Sequence, residues 1–418
     1  MIKGIKGVKD ILPEETPRWR LIEETARRWA LVYGFHEIRV PIFEVTALFA
    51  RSIGASTDIV EKEMYTFQDR DGTSLTLRPE GTAGTVRAYI EHNRGADPLP
   101  QKYFYTGPMF RHERPQAGRL RQFHQFGVES LGTADPRADV EVIALLWRLL
   151  SDLKLPALTL EINNLGYAAD RDAYRPQLVA YLKQQEELLC GNCRRRIDTN
   201  PLRVLDCKVP ECRAATEAAP RLADGLSDKA RAHFGSVLAG LDAIGIPYSL
   251  NHRLVRGLDY YGLTTFEVTS TSLGAQNAVG AGGRYDGLVE TLGGPRTPAV
   301  GFAVGLERMA MMLPEMASSS TSASVYVAGF GDRGSVEGFS VLEELRLAGI
   351  RGVTDFRAGT LKSHMRQADR LRSQYALIIG DDEVMKGSAI LRNMDTKVQQ
   401  EVSLTSLSSQ VSSLLRVS

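Results

Sequence analysis

Apolar positions recur with helical and strand periods along most of the 418-residue chain. In PRWRLIEETARRWALVYGF, which begins at Pro17, they return every three or four residues until Gly34, and this spacing predicts an amphipathic helix. The strand HEIRVPIFE follows. MYTFQDRDGTSLTLRP then places Asp71 and Gly72 between two β-rich runs, a pattern typical of a hairpin. The chain therefore begins with a helix followed by short strands.

The next segments predict an antiparallel sheet with helices against it. KYFYTGPMFRHE and LRQFHQFGVESL read as two strands of one hairpin, joined by a loop rich in Arg, Pro and Gly. An apolar helix, DVEVIALLWRLLSDL, and a strand, LTLEIN, come next. Residues 167–250 have a mostly helical pattern and indicate an insertion. TTFEVTS and AVGAGGRYDGL lead to AVGFAVGLERMAMML, which changes from a strand pattern to an apolar helix.

Composition places a domain boundary at 317–324, because ASSSTSAS offers nothing to bury and is typical of a flexible linker. Beyond it, segments alternate strand, helix, strand, helix, strand, which predicts a small α/β layer domain. We therefore divide the chain into a core (1–166 and 251–316), an insertion domain (167–250), a linker (317–324) and a C-terminal domain (325–418).

Overall composition excludes several classes of protein. Hydrophobic residues make up 43% and charged residues 24%, as in ordinary globular proteins, and 51 basic against 50 acidic residues exclude a globally basic nucleic-acid binder. No apolar run reaches the roughly 18 residues of a membrane span, and MIKGIKGVKDILPEE lacks a signal-peptide core. Four cysteines are too few for a disulfide framework and suit a reducing compartment. From these observations together we expect a cytoplasmic protein without membrane contact.

A glycine motif at 329–334 imitates a dinucleotide-binding fingerprint. Residues 329–334 read GFGDRG, follow a predicted strand, open a predicted helix and precede Asp355 by about 20 residues. Fewer than 100 residues remain from Val325 onward, however, whereas that fold pairs two mononucleotide halves. The pattern also describes any tight strand-to-helix turn. An NAD-dependent oxidoreductase would depend on this turn alone, and we assign no NAD.

All four cysteines lie in the insertion, as Cys190-x2-Cys193-x13-Cys207-x4-Cys212. This spacing is near that of zinc knuckles, although the second pair is looser than usual. The alternative is that they are small buried residues. The sequence leaves zinc open and gives no sign of a catalytic metal, so no metal ligand is assigned.

The loop between the two hairpin strands, RHERPQAGRLR at 111–121, carries four arginines between Phe110 and Phe123. A run of charge is usually a solvated face. Arginines flanked by aromatic rings are also how a site binds a polyphosphate and stacks a base. GxxxxGK[ST] is absent, so a nucleotide site would have to be built from arginines on a sheet.

Five segments together resemble the histidyl-tRNA synthetases, a family of class II aminoacyl-tRNA synthetases. HEIRVPIFE is similar to class II motif 1, whose proline, Pro41 here, lies at the dimer interface. TGPMFRHERPQAGRLRQFHQFGVES resembles motif 2 and AVGFAVGLERM resembles motif 3, while LVRGLDYY and AGGRYDGL resemble signatures of the histidine enzymes. The resemblance implies an α+β class II catalytic core on a mostly antiparallel sheet, a helical insertion and a C-terminal α/β anticodon-binding domain.

For ATP, the resemblance implies that Arg111 holds the α-phosphate, Glu113 contacts the adenine edge and Phe123 stacks below the base. Arg308 covers the other face and reaches the terminal phosphate, and Arg121 completes the set. A planar guanidinium can stack and pair at once, which suits this task. ATP is expected as a substrate with Mg²⁺, with no tightly bound organic cofactor.

For histidine, the resemblance assigns Glu80 and Thr82 to the ammonium group. The alternative for Glu80 is an acid at a helix N-terminus, and both can hold. Glu129, Tyr261 and Tyr285 match the set that recognises the ring. The further pocket members are Gln125, Tyr260 and Arg256. Gly282 and Gly283 are expected to let backbone approach the ligand where a Cβ would intrude.

Arg256 in LVRGLDYY corresponds to the residue that the family places beside the α-phosphate, so Arg256 and Arg111 are the expected catalytic pair. The alternative is a weak surface ion pair between Arg256 and Asp259. One position departs from the family pattern, because Gly262 stands where we expect a threonine after Tyr261.

The resemblance implies a histidine–tRNA ligase that forms histidyl-adenylate from ATP and histidine and then charges histidine tRNA, acting as a homodimer. Arg114 and Gln116 would read the acceptor end, with its extra 5′ guanosine, and the insertion would clasp the acceptor stem. The alternative is the synthetase-like regulatory subunit of ATP phosphoribosyltransferase, which lacks the anticodon domain. The three arginines at 111, 256 and 308 and the complete C-terminal domain favour the enzyme.

Overall fold

The computed structural model describes residues 2–54, 57–116, 118–274, 277–315, 324–357 and 359–416. The chain divides into two compact units, Met1–Glu315 and Met316–Ser418. Most of the linker predicted at 317–324 lies outside the described residues. Across the described part of the chain, no helix is long and apolar enough to cross a membrane.

The first unit is built from eleven described strands and eleven described α-helices. The strands are β1 (His36–Glu37), β2 (Phe43–Val45), β3 (Thr66–Gln68), β4 (Ser74–Leu77), β5 (Gln101–Phe110), β6 (Gln122–Leu131), β7 (Leu158–Asn164), β8 (Ser249–Leu250), β9 (Gly262–Ser270), β10 (Ala278–Arg284) and β11 (Ala299–Gly305). The helices are α1 (Thr16–Val32), α2 (Thr46–Ile53), α3 (Thr82–Glu91), α4 (Pro136–Asp152), α5 (Ala168–Gln184), α6 (Gly191–Thr199), α7 (Leu202–Leu205), α8 (Pro210–Ala215), α9 (Asp228–Ala243), α10 (Leu288–Thr291) and α11 (Leu306–Met312).

Eight of these strands form one sheet in the order β1-β5-β6-β11-β10-β9-β7-β8. Only the two edge pairs, β1 with β5 and β7 with β8, are parallel. The predicted hairpin is present as β5 and β6, which pair from Gln101 opposite Leu131 to Phe110 opposite Gln122. The prediction of a mostly antiparallel sheet is therefore confirmed.

The core of this unit lies between one face of the sheet and its helices. Apolar residues of α1, α4 and α11 pack against Phe126 and Phe302 of the central strands. A buried charge is satisfied in the same region, because Arg284, 1% exposed, donates from Nη2 to Oδ2 of Asp139 at 2.5 Å. Because helices cover this face of the sheet, a binding site on the sheet would have to lie on the opposite face.

The prediction of one strand over HEIRVPIFE is wrong. The segment forms β1 in the large sheet and β2 in a separate three-stranded sheet of order β2-β4-β3. Pro41 lies between β1 and β2 and has no backbone N–H to donate to a neighbouring strand. The carbonyl oxygen of Val40 accepts from Nη1 of Arg78 at 2.9 Å rather than from a strand. The hairpin of β3 and β4 is confirmed, with Gly72 at φ +86° in its turn.

Residues 167–250 are mostly helical, from α5 to α9, and only β8 at their end joins the sheet. Their apolar side chains form a hydrophobic cluster of their own, which includes Leu178, Leu182 and Ile197 together with the buried Cys193 and Cys212.

The second unit contains a five-stranded sheet in the order β13-β12-β14-β15-β16. Its strands are β12 (Val325–Gly329), β13 (Gly352–Val353), β14 (Tyr375–Ile379), β15 (Ser388–Asn393) and β16 (Gln399–Ser403); its helices are α12 (Asp332–Leu347), α13 (Leu361–Arg370), α14 (Asp381–Lys386) and α15 (Leu407–Arg416). The first three strands are parallel, as the alternating pattern predicts, and β15 and β16 add an antiparallel hairpin that the pattern did not reveal.

The glycine motif at 329–334 is a packing device in this unit. The backbone N–H groups of Arg333 and Gly334 at the start of α12 both donate to Oδ1 of Asp381, each at 2.9 Å. A Cβ on Gly334 would lie 2.7 Å from the carbonyl oxygen of Ile379. A carboxylate thus occupies the N–H groups that a dinucleotide phosphate would need.

Candidate functional site

A polar cleft opens on the large sheet of the first unit, with an empty volume of about 950 Å³ including its mouth. Ten of the residues predicted for the site line it: Glu80, Thr82, Arg111, Glu113, Phe123, Gln125, Arg256, Tyr260, Tyr261 and Arg308. They come from the hairpin of β5 and β6, the turn before α3, the segment before β9 and the start of α11. The sheet therefore gathers residues that are up to 228 positions apart in sequence, from Glu80 to Arg308.

Arg111 is fixed from two sides at the end of β5. Its Nε donates to the carbonyl oxygen of Pro79 at 2.8 Å, and its guanidinium carbon lies 5.2 Å from the ring centroid of Phe123. These contacts leave the Nη side of the guanidinium toward the cleft, where Oε1 of Glu113 is 3.9 Å from Nη1. The geometry suits a planar anion-binding group.

The remaining loop residues divide between the cleft and the surface. Arg119 lines the cleft and its Nε lies 3.0 Å from Oε2 of Glu113. Arg121, which the sequence places in the ATP set, is not brought to the cleft wall, and its Nε reaches the backbone oxygen of Glu113 at 3.4 Å. Arg114 and Gln116 are exposed on the loop outside the cleft.

Arg308 enters the cleft from the first turn of α11. Its Nε donates to the Gly118 carbonyl oxygen at 3.3 Å and its Nη1 donates to that of Ala278. Burial, with Arg119 nearby, lowers the pKa of Arg308. Positive charge is thus concentrated at this end of the cleft, which favours an anionic ligand.

Glu80 is buried just before α3. Its Oε2 accepts from the backbone N–H of Thr82 at 2.6 Å and its Oε1 from that of Ala83 at 2.9 Å, so it caps the helix. Burial raises the pKa of Glu80. Because Glu80 also lines the cleft, the helix-terminus alternative and the pocket assignment hold together.

Glu129 lies behind the wall and is 1% exposed. Three hydroxyl groups donate to its carboxylate: Thr82 at 2.6 Å and Tyr105 at 3.2 Å to Oε1, and Tyr285 to Oε2. Burial raises its pKa to about 8, since desolvation outweighs these hydrogen bonds. Neither Glu129 nor Tyr285 forms part of the wall of the cleft.

Aromatic rings and an unpaired amide oxygen lie near Glu80 and Thr82 in the cleft. The rings of Tyr260 and Tyr261 have centroids 4.6 Å apart, and those of Tyr260 and Tyr285 are 5.6 Å apart. Among the described residues, the buried Oε1 of Gln125 has no hydrogen-bond partner. A buried acceptor without a donor is costly, and a ligand N–H would satisfy it.

Arg256 pairs with Glu267 of β9, and not with Asp259. Nη1 of Arg256 lies 2.7 Å from Oε2 of Glu267, with the two side chains 19% and 16% exposed. Asp259 instead accepts from Nδ2 of Asn200 at 2.7 Å. The alternative of a surface pair with Asp259 is therefore wrong.

The glycines of β10 do not serve the role we expected. A Cβ on Gly282 would lie 2.1 Å from the Gly301 carbonyl oxygen, and one on Gly283 would lie 2.7 Å from the Thr264 carbonyl oxygen. Close packing of the strands, rather than approach of a ligand, requires them. At Gly262 a Cβ would lie 2.9 Å from Nη1 of Arg171, so an arginine of α5 fills the space of the missing side chain.

Several residues of the site were not predicted from the sequence. Glu267 and Arg119 line the cleft, and Tyr105 donates to Glu129 from the next strand. A charged residue inside the apolar strand pattern TTFEVTS is the signal that could have identified Glu267. Tyr105 carried no such signal, because a tyrosine in a strand is common.

Comparison with protein families separates the two units in the same way as their folds. The model for histidyl-tRNA synthetase matches residues 7–309, and that for an anticodon binding domain matches residues 325–414. This chain belongs to the histidyl-tRNA synthetase family. The predicted class, an aminoacyl-tRNA synthetase with an α+β class II core, is confirmed.

Full-length relatives agree. The histidine–tRNA ligase of Trichlorobacter lovleyi is 52% identical over 96% of both chains, and that of Desulfatibacillum aliphaticivorans is 49% identical over 99% of both. The crystal structure of apo histidyl-tRNA synthetase from S. aureus is 36% identical with a TM-score of 0.82, covering 98% of this chain and 100% of that one.

These relatives confirm the predicted function, ligation of histidine to tRNA, and do not favour the regulatory-subunit alternative. A Bacillus halodurans structure described as an ATP phosphoribosyltransferase regulatory subunit/histidyl-tRNA synthetase has a TM-score of 0.67 over 91% of this chain and 98% of that one. At 21% identity it shows the shared fold alone.

Proposed function

We propose that the cleft joins histidine to ATP and that the same residues then present the product to tRNA. In the first step a carboxylate oxygen of histidine attacks the α-phosphorus of ATP, the bond to the β-phosphate oxygen breaks, and pyrophosphate leaves. In the second, a hydroxyl of the terminal tRNA ribose attacks the activated carbonyl and AMP leaves. The observation that carries this proposal is the convergence of Arg111, Arg256 and Arg308 on one cleft that also holds Glu80 and Gln125.

The arginine end of the cleft suits ATP. Phe123, against which Arg111 already stacks, offers a ring for the base, and Glu113 can accept from the adenine amino group. Arg111 and Arg308 would then bind the phosphates, because fixed guanidinium groups stabilise charge without reorganisation. Arg119, present in the wall, takes the place in this set that we expected for Arg121.

The other end suits histidine. Glu80 and the unpaired Oε1 of Gln125 can accept from the ammonium group, with Thr82 beside them. Glu129, behind Thr82 and held by Tyr285, can accept a ring N–H, and Tyr261 supplies a polar edge. Binding of a cation or N–H donor beside Glu129 would favour its ionised form and offset the cost of its burial.

Arg256 stands between these two ends. Its Nη1 contacts Glu267, and among the described residues its buried Nε has no hydrogen-bond partner. The guanidinium therefore keeps donors for the α-phosphate and the attacking carboxylate. We assign it the stabilisation of charge on phosphorus in the transition state.

Mg²⁺ would enter with ATP. Mg²⁺ prefers oxygen ligands, and Glu267 supplies a carboxylate in the cleft wall, so the residues present fit the ion. Glu267 would hold the Mg²⁺ ion, and the ion would neutralise negative charge on the phosphates. The arginines remain responsible for orienting the α-phosphate.

For tRNA, we assign recognition of the acceptor end to Arg114 and Gln116, which are exposed on the loop after β5. The helices of 167–250 would act as an insertion domain that clasps the acceptor stem, and 325–418 would bind the anticodon beyond a linker at 317–324. Core residues 1–166 and 251–316 would hold the chemistry. Shape and phosphate contacts dominate RNA recognition of this kind, which a nearly neutral protein can support locally.

Two copies would form the working enzyme in the cytoplasm. The three-stranded sheet beside Pro41 exposes Ile42, Phe43, Val45 and Phe67, each by more than 40%, and neighbouring apolar side chains of this extent suit a subunit interface. Sedimentation of the full chain should give twice the monomer mass.

A charging assay with two loop variants tests the proposal. Arg114→Ala and Gln116→Ala should slow transfer of histidine to tRNA while leaving adenylate formation within about threefold of the parent, because neither residue lines the cleft. Equal loss of both steps in each variant would contradict the division between the cleft and the loop.

A further inference from the structure

The fold brings together all four cysteines of the chain. Cys190 precedes α6, Cys193 lies in its first turn, Cys207 follows α7 and Cys212 lies in α8. Their four Sγ atoms all lie within 4.8 Å of one another, and none is in a disulfide. The packing of three short helices thus places the four Sγ atoms next to one another.

This arrangement is the one that a tetrahedral ion requires. With Zn–S bonds of about 2.3 Å, the sulfurs of a four-thiolate site lie about 3.8 Å apart, so a span of 4.8 Å closes with side-chain adjustments alone. The backbone N–H of Cys190 also donates to Sγ of Cys212 at 3.0 Å, a bond of the kind that orients a metal-bound thiolate. Apolar packing alone does not require four sulfurs to cluster or a backbone N–H to donate to one of them.

Burial and charge are consistent with a closed structural site. Cys193 and Cys212 are buried in the cluster around Leu189 and Ile197, while Cys190 and Cys207 are partly exposed and give an ion access. A zinc ion with four thiolates carries two negative charges. Around it the segment 190–213 has six basic residues against three acidic ones: Arg194, Arg195, Arg196, Arg203, Lys208 and Arg213 against Asp198, Asp206 and Glu211.

We propose that Cys190, Cys193, Cys207 and Cys212 bind one structural Zn²⁺ ion. With four protein ligands the ion has no open position, so it takes no part in the chemistry. Its task is to hold α6, α7 and α8, of nine, four and six residues, which are too short to be stable by themselves.

The site lies close enough to matter for the cleft. Between the two cysteine pairs, Asn200 donates from Nδ2 to Oδ1 of Asp259 at 2.7 Å, next to the paired tyrosines, and Arg196 pairs with Asp58. Residues 199–203 also line a second cavity, together with Arg256 and Tyr261. Zinc would therefore anchor a segment that supports the histidine end of the active site.

Metal and thiol analysis of the purified full chain tests this proposal. We expect about one zinc ion per chain, four free thiols after denaturation and, after exchange with Co²⁺, the thiolate charge-transfer absorption and strong visible bands of tetrahedral cobalt. Cys207→Ser should weaken zinc affinity by at least about a hundredfold. Ala215→Ser, which puts a hydroxyl into the same cluster but keeps all four thiols, should retain zinc.

If Cys207→Ser does not fold, the parent protein still decides the question. Titration with a mercurial reagent should release zinc in proportion to the thiols blocked. Four free thiols without zinc, two disulfides, or iron with inorganic sulfide would each overturn the proposal. Adenylation is not needed for any of these measurements, so they stand apart from the proposed function.

Discussion

Arg256 and Glu267 form an ion pair in the wall of the cleft, with 2.7 Å between Nη1 and Oε2. Glu267 belongs to β9, which pairs with β10 on one side and β7 on the other, so the ion pair joins the Arg256 guanidinium to an interior strand of the large sheet. A positively charged group fixed in this way loses little entropy when it meets a phosphate. The pair gives Arg256 a positioned role that a surface contact with Asp259 would not give.

Replacing Arg256 should therefore affect the transition state more than binding. Arg256→Ala should lower the rate of adenylate formation by about 10²–10³, the usual loss when one preorganised donor is removed, with smaller changes in ATP and histidine affinity. Arg256→Lys should recover only part, because lysine offers a point charge in place of a planar fork. Transfer from preformed adenylate to tRNA should change less.

Single-turnover kinetics separates these steps, with Arg137→Ala as the matched control. Arg137 is also ion-paired, but its side chain is 89% exposed, so its loss should leave both steps unchanged. An adenylation rate for Arg256→Ala within about threefold of the parent would show that Arg256 does not stabilise the transition state.

The buried carboxyl of Glu129 should make stability depend on pH. Its pKa is raised to about 8 in the folded protein, above its ordinary value of 4.5, so between these pH values the unfolded chain has lost a proton that the native protein retains. The free energy of unfolding of the empty enzyme should thus fall as pH rises through this window, by at most about 1.4 kcal/mol per pH unit from this group.

Glu129→Gln should remove that contribution. Denaturant unfolding at pH 5 and pH 8 should show the variant gaining stability relative to the parent at the higher pH, while its activation of histidine falls. The exposed Glu290→Gln serves as the control and should follow the parent. A stability difference that is the same at both pH values would mean that Glu129 is already ionised in the empty cleft.

Hydrogen bonding to the ring should give selectivity without editing. A side chain without ring N–H groups could not give Glu129 the additional donor that we propose for the imidazole ring, so phenylalanine and glutamine should be activated about 10⁴–10⁵ less efficiently than histidine. Pyrophosphate exchange with each amino acid measures the ratio. Activation of either within about a hundredfold of histidine would show that the pocket assignment is wrong.

The two units should separate by function as well as in structure. Ending the chain after Ser319 should leave a core that still dimerises and forms adenylate, because the compact unit Met1–Glu315 contains every residue of the cleft. Charging of tRNA should fall sharply. If the shortened enzyme lost adenylation and charging equally, the C-terminal unit would have to support the core.

Local periodicity predicted much of the fold. The hairpin of β5 and β6 follows from two β-rich runs around a polar loop, and Glu80, Arg111 and Arg308 were found because their segments are specific to the family. The break near Pro41 was missed because the apolar pattern continues through it, whereas the chain changes sheets. The strands β15 and β16 follow a repeated alternation that gave no reason to expect a turn to antiparallel pairing.

What could not be predicted depends on contacts between distant segments. The contact of Glu267 with Arg256 and that of Tyr105 with Glu129 depend on how separate segments meet in the folded sheet. No local sequence pattern contains this information. Arg121 and Arg119 are two residues apart in one loop, and only its folded course decides which one enters the cleft. Likewise the four cysteines gave a suggestive spacing, while their meeting point required the packing of α6, α7 and α8.

The most direct test of the account is exchange of labelled pyrophosphate into ATP by the full chain in the absence of tRNA. The parent enzyme should exchange pyrophosphate when histidine is present and should show no exchange without an amino acid. Arg111→Ala should lower the exchange rate by about 10²–10³, because one phosphate-binding donor would be lost. Exchange that does not require histidine, or that survives the loss of Arg111 unchanged, would contradict the assignment of this cleft to histidine activation.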